Sequence, residues 1–225
     1  MDEIGKFFFD GTIAAAVLPF LFEGFLVTLQ LSVLTILFGL ALGLALACAR
    51  AYGIMPLNLL IVAFVDILRS LPALVILICI YFVLPEYEIR IDAYWATVLT
   101  LGLVLAAFSE EIFWAGITSV PKGQWEGGLS TGLTFTQTLF YIVLYQAVQM
   151  VIPPLTNKTI SITKNTALAS VVSVSELLNQ ASSQQALYAN PTPLIGAALI
   201  YIAFLWPMVR LVSLLEQKFS KEKRR

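Results

Sequence analysis

Few residues in this sequence could do chemistry, and they fall in four places. Glu110 and Glu111 stand side by side near the end of an apolar run. Two adjacent carboxylates could pass a proton, but neighbouring helix positions do not share a face, so structural pairing with other charges is the expected role. Asp66 and Arg69 lie three residues apart inside another apolar run. Opposite charges at that spacing meet on one helix face, and either alone is costly in hydrocarbon. Arg69 therefore either lines a path for an anionic group or pairs with Asp66 and braces the helix. The third place is Lys164-Asn165-Thr166, at the end of a segment from Thr156 that is too polar to face lipid. The fourth is a glycine-rich island, Ser119 to Gly132, inside otherwise oily sequence.

What is missing narrows the chemistry. The 225 residues include no histidine, which removes a Ser-His triad, a histidine-ligated metal and an imidazole pH switch. Cys48 and Cys79 lie far apart in apolar runs with no Cys-x-x-Cys spacing, so neither a metal site nor a redox pair is expected. The phosphate-cradling pattern Gly-x-x-x-x-Gly-Lys-Ser/Thr is absent, so no catalytic residue is expected and any nucleotide chemistry belongs to a partner. Only 12% of residues are charged, against roughly a quarter in soluble domains. With 59% hydrophobic residues and a mean hydropathy of +0.89, the chain reads as an all-α integral membrane protein. Asp2 and Glu3 stand where a signal peptide would carry positive charge, so none is expected.

The elements that position these residues follow from apolar runs of about 20 residues, the length of a membrane crossing. Five spans are expected, at about 25–49, 56–84, 93–118, 135–152 and 194–215. In the first, Gly39, Gly43 and Ala47 recur every four residues and leave a smooth stripe for a neighbouring helix. Pro72 should kink the second. Gln146 and Gln149 share a face of the fourth, toward a cavity or a hydrogen-bonding neighbour. Pro153-Pro154 should end that span, leaving the polar segment after it as irregular backbone along a cavity or as a solvated loop. Residues 176–193, rich in Ser, Gln and Asn, read as the main connection outside the bilayer. The expected organisation is an interfacial, periplasmic segment at 1–24, a transmembrane domain at 25–215 and a basic tail at 216–225. Arg50, Lys122 and the basic tail then share one side, and the acidic Glu86 to Asp92 loop and N-terminus the other. The positive-inside rule puts the C-terminus and the island in the cytoplasm and the N-terminus outside.

The island makes a weak helix. Ser119 can cap its start and Pro121 suits its first turn, yet Gly123, Gly127 and Gly128 each cost about 1 kcal/mol relative to alanine. Its stability must come from packing, and side chains this small let another backbone come close, so it reads as a contact surface. The spacing Gly123-Gln124-x-Glu126-small-small-x-x-x-Gly132 resembles the cytoplasmic coupling loop of ATP-binding-cassette importer permeases, Glu-Ala-Ala, three residues, Gly. Gly127 and Gly128 stand for the two alanines. Val65-Asp66-Ile67-Leu68-Arg69-Ser70-Leu71-Pro72, Pro153-Pro154-Leu155-Thr156-Asn157 and Lys164-Asn165-Thr166-Ala167-Leu168 fall in the order seen in polar amino-acid permeases. The similarity spans roughly residues 20 to 215, with three departures. Trp114 replaces the arginine that usually follows Glu111 by three, Asn165 replaces the aspartate of Lys-Asp-Thr-Ser-Leu, and Tyr145 stands where relatives often have proline.

The resemblance implies a type I ABC importer permease fold, with about five transmembrane helices and a cytoplasmic coupling helix near 119–132. It implies residence in the bacterial cytoplasmic (inner) membrane and translocation of a polar amino acid by alternating access. Implied partners are a pair of ATPase subunits that bind ATP and Mg, a second permease subunit (identical or sister), and an extracytoplasmic amino-acid-binding protein. No cofactor, metal or nucleic acid is implied for this chain. Gly123, Gln124, Glu126, Gly127, Gly128 and Gly132 would meet the ATPase. Lys164, Asn165 and Thr166, with Arg69, would line the substrate path. The residues alone leave open a proton-coupled secondary carrier using Glu110 and Glu111, although the internal inverted repeats common in such carriers are not evident.

Overall fold

A computed structural model of the protein describes residues 8–222, with side chains through Arg210 and at Val212. Residues 1–7 of the expected N-terminal segment, and the side chains of the expected basic tail, lie outside the described residues. Helix α1 (Gly11–Ala51) starts where the Asp10 carboxylate accepts the N–H groups of Thr12 and Ile13 at 2.8 and 3.2 Å. It is 41 residues long, so most of the expected interfacial segment is helix continuous with the first span.

Helix α2 (Met55–Ser70) and helix α3 (Ala73–Ile78) divide the expected second span, and α3 runs on through a π turn (Cys79–Val83) and a 3₁₀ turn (Leu84–Tyr87). Pro72 lacks an N–H and pushes the preceding residue out of the helical region, and Leu71 is extended at φ −98°, ψ 137°. The expected kink is thus a break. Helices α4 (Ala93–Ser119), α5 (Lys122–Ser130), α6 (Phe135–Val172), α7 (Leu177–Tyr188) and α8 (Thr192–Glu222) complete the described chain. Among the described residues, four helices are long and apolar enough to cross a membrane, or five if α2 and α3 count as one span.

Two expectations are corrected here. Helix α6 does not stop at Pro153-Pro154 but continues through Asn165 into a 3₁₀ turn (Thr166–Val172). Val143, Ala147, Val151 and Leu155 recur every four residues on one buried stripe, and that packing holds the helix across the missing hydrogen bonds. The polar stretch after the prolines is therefore neither irregular backbone nor loop. Residues 176–193 are likewise not a simple connection, because α7 buries Leu177 and Ala181 completely.

The chain forms two compact units. One comprises the described residues to Thr35, Ala73–Leu101 and Ile160–Leu211, and the other Ile36–Pro72, Gly102–Thr159 and Val212 onward. In the first, Val17 and Leu21 of α1 pack with Leu177 and Ala181 of α7 and Ala197 of α8. In the second, the stripe on α6 packs with Ala47 of α1 and with Phe113 and Ile117 of α4. The glycine stripe of α1 meets α4 there: a Cβ on Gly39 would lie 2.7 Å from Leu105 Cβ, and one on Gly43 would lie 2.0 Å from Ser109 Oγ. Ser109 Oγ donates to the Gly39 carbonyl at 3.1 Å. In lipid there is little transfer energy between helices, so close approach and interhelical hydrogen bonds of this kind carry the association.

Candidate functional site

The polar island folds as a short helix between two spans. Pro121 precedes α5 without a side-chain cap, and Ser119 does not cap it, since its hydroxyl donates to the Gly116 carbonyl at the end of α4. The helix closes with Gly132 at φ +86° and a hydrogen bond from Leu133 N–H to the Gly128 carbonyl, the Schellman arrangement for which glycine is the residue without steric penalty. One face is anchored. Trp125 stacks on Phe135 at 5.2 Å and 24°, and Gln146 Nε2 donates to Gln124 Oε1 at 3.1 Å. Gly128 is buried where a Cβ would come within 2.7 Å of Thr138 Cγ2. The other face is open. Glu126 is exposed, and a Cβ on Gly123 or Gly127 would meet nothing within 4 Å. Of the residues expected to meet a partner, Gly123, Glu126 and Gly127 present free surface, while Gln124 and Gly128 tie α5 to its own bundle.

The charged residues do not form the relay or the helix brace considered above. Glu110 is fully buried and accepts from Arg50 Nη1 at 3.1 Å. The Arg50 guanidinium lies 4.5 Å over the Trp114 ring, so the position where an arginine was expected instead holds the aromatic floor for an arginine arriving from α1. Glu111 pairs with Arg69 Nη1 at 2.7 Å, with 49% and 32% of the two side chains exposed. Arg69 therefore braces α2 against α4 rather than pairing with Asp66. The two carboxylates are divided between two guanidiniums on different faces of the helix.

The expected path residues occupy the end of α6. Lys164 is exposed, Asn165 is half-buried, and Thr166 is fully buried with its hydroxyl donating to the Thr163 carbonyl at 2.7 Å. Arg69 belongs to the other compact unit. An open groove of about 630 Å³ lies elsewhere, lined by Leu18, Phe22, Phe204 and neighbours of α1 and α8. Its apolar lining offers no group that would recognise a polar solute.

The family described as binding-protein-dependent transport system inner membrane component matches residues 39–221. The chain belongs to that family. The permease is 36% identical over 204 residues to the L-cystine transport system permease protein TcyB of Bacillus subtilis (strain 168), covering 90% of this chain and 86% of that one. It is 36% identical over 174 residues to the glutamine transport system permease protein GlnP of Escherichia coli (strain K12), covering 76% and 80%. A crystal structure of an amino acid ABC transporter with histidines superposes with a TM-score of 0.82 at 31% identity, over 91% of this permease and 96% of that chain. An inward-facing MetNI methionine ABC transporter shares the fold at a TM-score of 0.66 and 20% identity, over 88% and 97%. The permease is a membrane subunit rather than an enzyme, and ATP hydrolysis lies in a separate subunit. These findings lend the proton-coupled carrier no support.

Two functional-looking groups escaped the sequence. Glu176, fully buried, caps α7 by accepting from Leu178 N–H and Asn179 N–H at 2.9 and 2.7 Å, and Tyr201 donates to it at 3.1 Å. Glutamate is uncommon at that cap position, so no local pattern announced it. Thr134 and Gln137 form a capping box at the start of α6, which the Thr-x-x-Gln spacing alone does not distinguish from ordinary polar residues of a span.

Proposed function

We propose that this chain is the permease subunit of an ATP-driven importer that moves a polar amino acid across the cytoplasmic membrane by alternating access. The observation that carries this reading is α5: a nine-residue helix anchored to its bundle by Trp125, Gln124 and Gly128, with Glu126, Gly123 and Gly127 turned outward. A helix fixed on one side and free on the other passes a rigid-body push from a partner into the spans it is tied to. The partner is a pair of ATPase subunits holding ATP and Mg, and Glu126 pairs with a basic residue there. A second permease copy or sister chain completes the membrane pathway, and an extracytoplasmic binding protein delivers the solute.

The relatives named for cystine and glutamine, with the arginine permease ArtQ of Bacillus subtilis at 30% identity, support a polar amino acid as cargo. Lys164 and Asn165 at the end of α6 line its route, Thr166 sets the helix end that presents them, and Arg69 on α2 is a separate, weaker candidate. Arg50 and Lys122 support a cytoplasmic α5 and C-terminus, with the N-terminus outside. The test is purification in mild detergent with identification of the co-purifying chains, followed by reconstitution. ATP-dependent uptake of an amino acid with a P-loop ATPase in the complex is the expected result. Uptake by the chain alone, driven by a pH gradient, would overturn the reading.

A further inference from the structure

Helix α2 starts, and α4 ends, at the same end of the second unit as Phe135: Tyr52, just before α2, donates to or accepts from Thr136 at 3.1 Å. At 1.5 Å per residue, Arg69 lies about 21 Å beyond Met55 and Phe108 about 16 Å before Ser119, inside helices that belong to candidate membrane spans. Around these residues the unit presents a charged wall. Asp66 is exposed, and Arg69 and Glu111 keep a third to a half of their side chains exposed. Charges so placed do not face lipid; they face protein or a water-filled passage.

Lys158 of α6 joins this wall. Its ammonium sits 3.0 Å from the centre of the Phe108 ring, and the Arg69 guanidinium lies 5.3 Å from the same centre. One ring therefore carries two cations. Arg69 is neutralised by Glu111, and Glu110 is turned away to Arg50. Lys158 forms no ion pair among the described residues. The π face takes up about one of the three N–H groups of the ammonium, so Lys158 keeps donors for an anionic oxygen ligand. Asp66, also without an ion pair among the described residues, adds one negative group to the wall.

We propose that Lys158, set on Phe108 beside the Arg69–Glu111 pair, binds the α-carboxylate of the transported amino acid. The assignment rests on the importer reading and names a cation the sequence did not single out. The test uses the full chain purified with its associated subunits. The probe is whichever of the twenty L-amino acids most raises the melting temperature of the unmodified complex, together with the amine obtained by removing its carboxylate. Lys158→Gln should weaken binding of the amino acid by about tenfold or more, the scale of a lost charged hydrogen bond. Lys158→Arg should keep it within about threefold, and binding of the amine should be the same in all three proteins. Should Lys158→Gln fail to assemble, Lys158→Met, which keeps the stem and removes the charge, is read in the same way. Amino-acid binding by Lys158→Gln within twofold of the unmodified complex, or an equal loss for acid and amine, overturns the proposal. So does separation of the permease subunits with binding unchanged, which would assign the wall to subunit packing. If no amino acid binds the unmodified complex or is taken up by it, the importer reading itself fails.

Discussion

Arg50, in the last turn of α1, reaches the fully buried carboxylate of Glu110 on α4 at 3.1 Å, sixty residues away in sequence. A buried charge that loses its partner cannot be rehydrated, so Arg50→Met should lower stability by about 3–5 kcal/mol. The double variant Arg50→Met/Glu110→Met should recover most of that loss, because no lone charge remains. Thermal unfolding of the four proteins in detergent gives the coupling energy, and additive effects would show that the pair is idle.

Adjacent glycines on α5 should behave oppositely. A methyl at Gly127 meets nothing, so Gly127→Ala should stabilise the helix by about 0.5–1 kcal/mol. A methyl at Gly128 would press on Thr138 and on Ile142 at 2.9 Å, so Gly128→Ala should cost about 1–3 kcal/mol. Melting curves of the two variants side by side decide the matter, and equal shifts would contradict the packing described.

The Trp125–Phe135 stack links α5 to α6, and Phe135 in turn lies 5.2 Å from Tyr52 at the end of α1. Trp125→Ala should raise the ATP hydrolysed per amino acid moved in reconstituted vesicles, whereas Trp125→Phe should restore most of the coupling. Glu126→Arg acts on the outward face. It should leave the melting temperature of the isolated chain unchanged and reduce ATPase association about tenfold or more.

Glu176 gives a pH dependence outside the membrane-spanning helices. Burial raises its carboxyl above the ordinary 4.5, opposed by the N–H groups of Leu178 and Asn179 and by Tyr201 and Thr28. The folded chain then holds a proton that the unfolded chain has released. The stability from this group is present below 4.5 and is lost as pH rises through the raised folded value. Glu176→Gln should flatten that decline in melting temperature across the window, and an unchanged profile would show that burial does not control the group.

Apolar run length alone located the membrane helices, because a crossing needs about 20 uninterrupted apolar residues and little else resembles that. The glycine stripe of α1 and the island at α5 were equally legible, since small residues recurring every four positions, or clustered among oily ones, have few uses besides close approach. Pro72 was legible as a disruption, though its size was not: a proline says that a hydrogen bond is missing, and the neighbours decide whether the helix bends or breaks. Pro153-Pro154 carried the same local signal and had the opposite outcome, because Val143, Ala147, Val151 and Leu155 lock α6 on either side. Which acid meets which base was decided by tertiary structure alone. Asp66 is nearer to Arg69 in sequence than Glu111 is, yet the guanidinium goes to the neighbouring helix. Sequence spacing sets what can meet along one helix. Pairing between helices depends on how their axes are packed, and that is a property of the whole bundle.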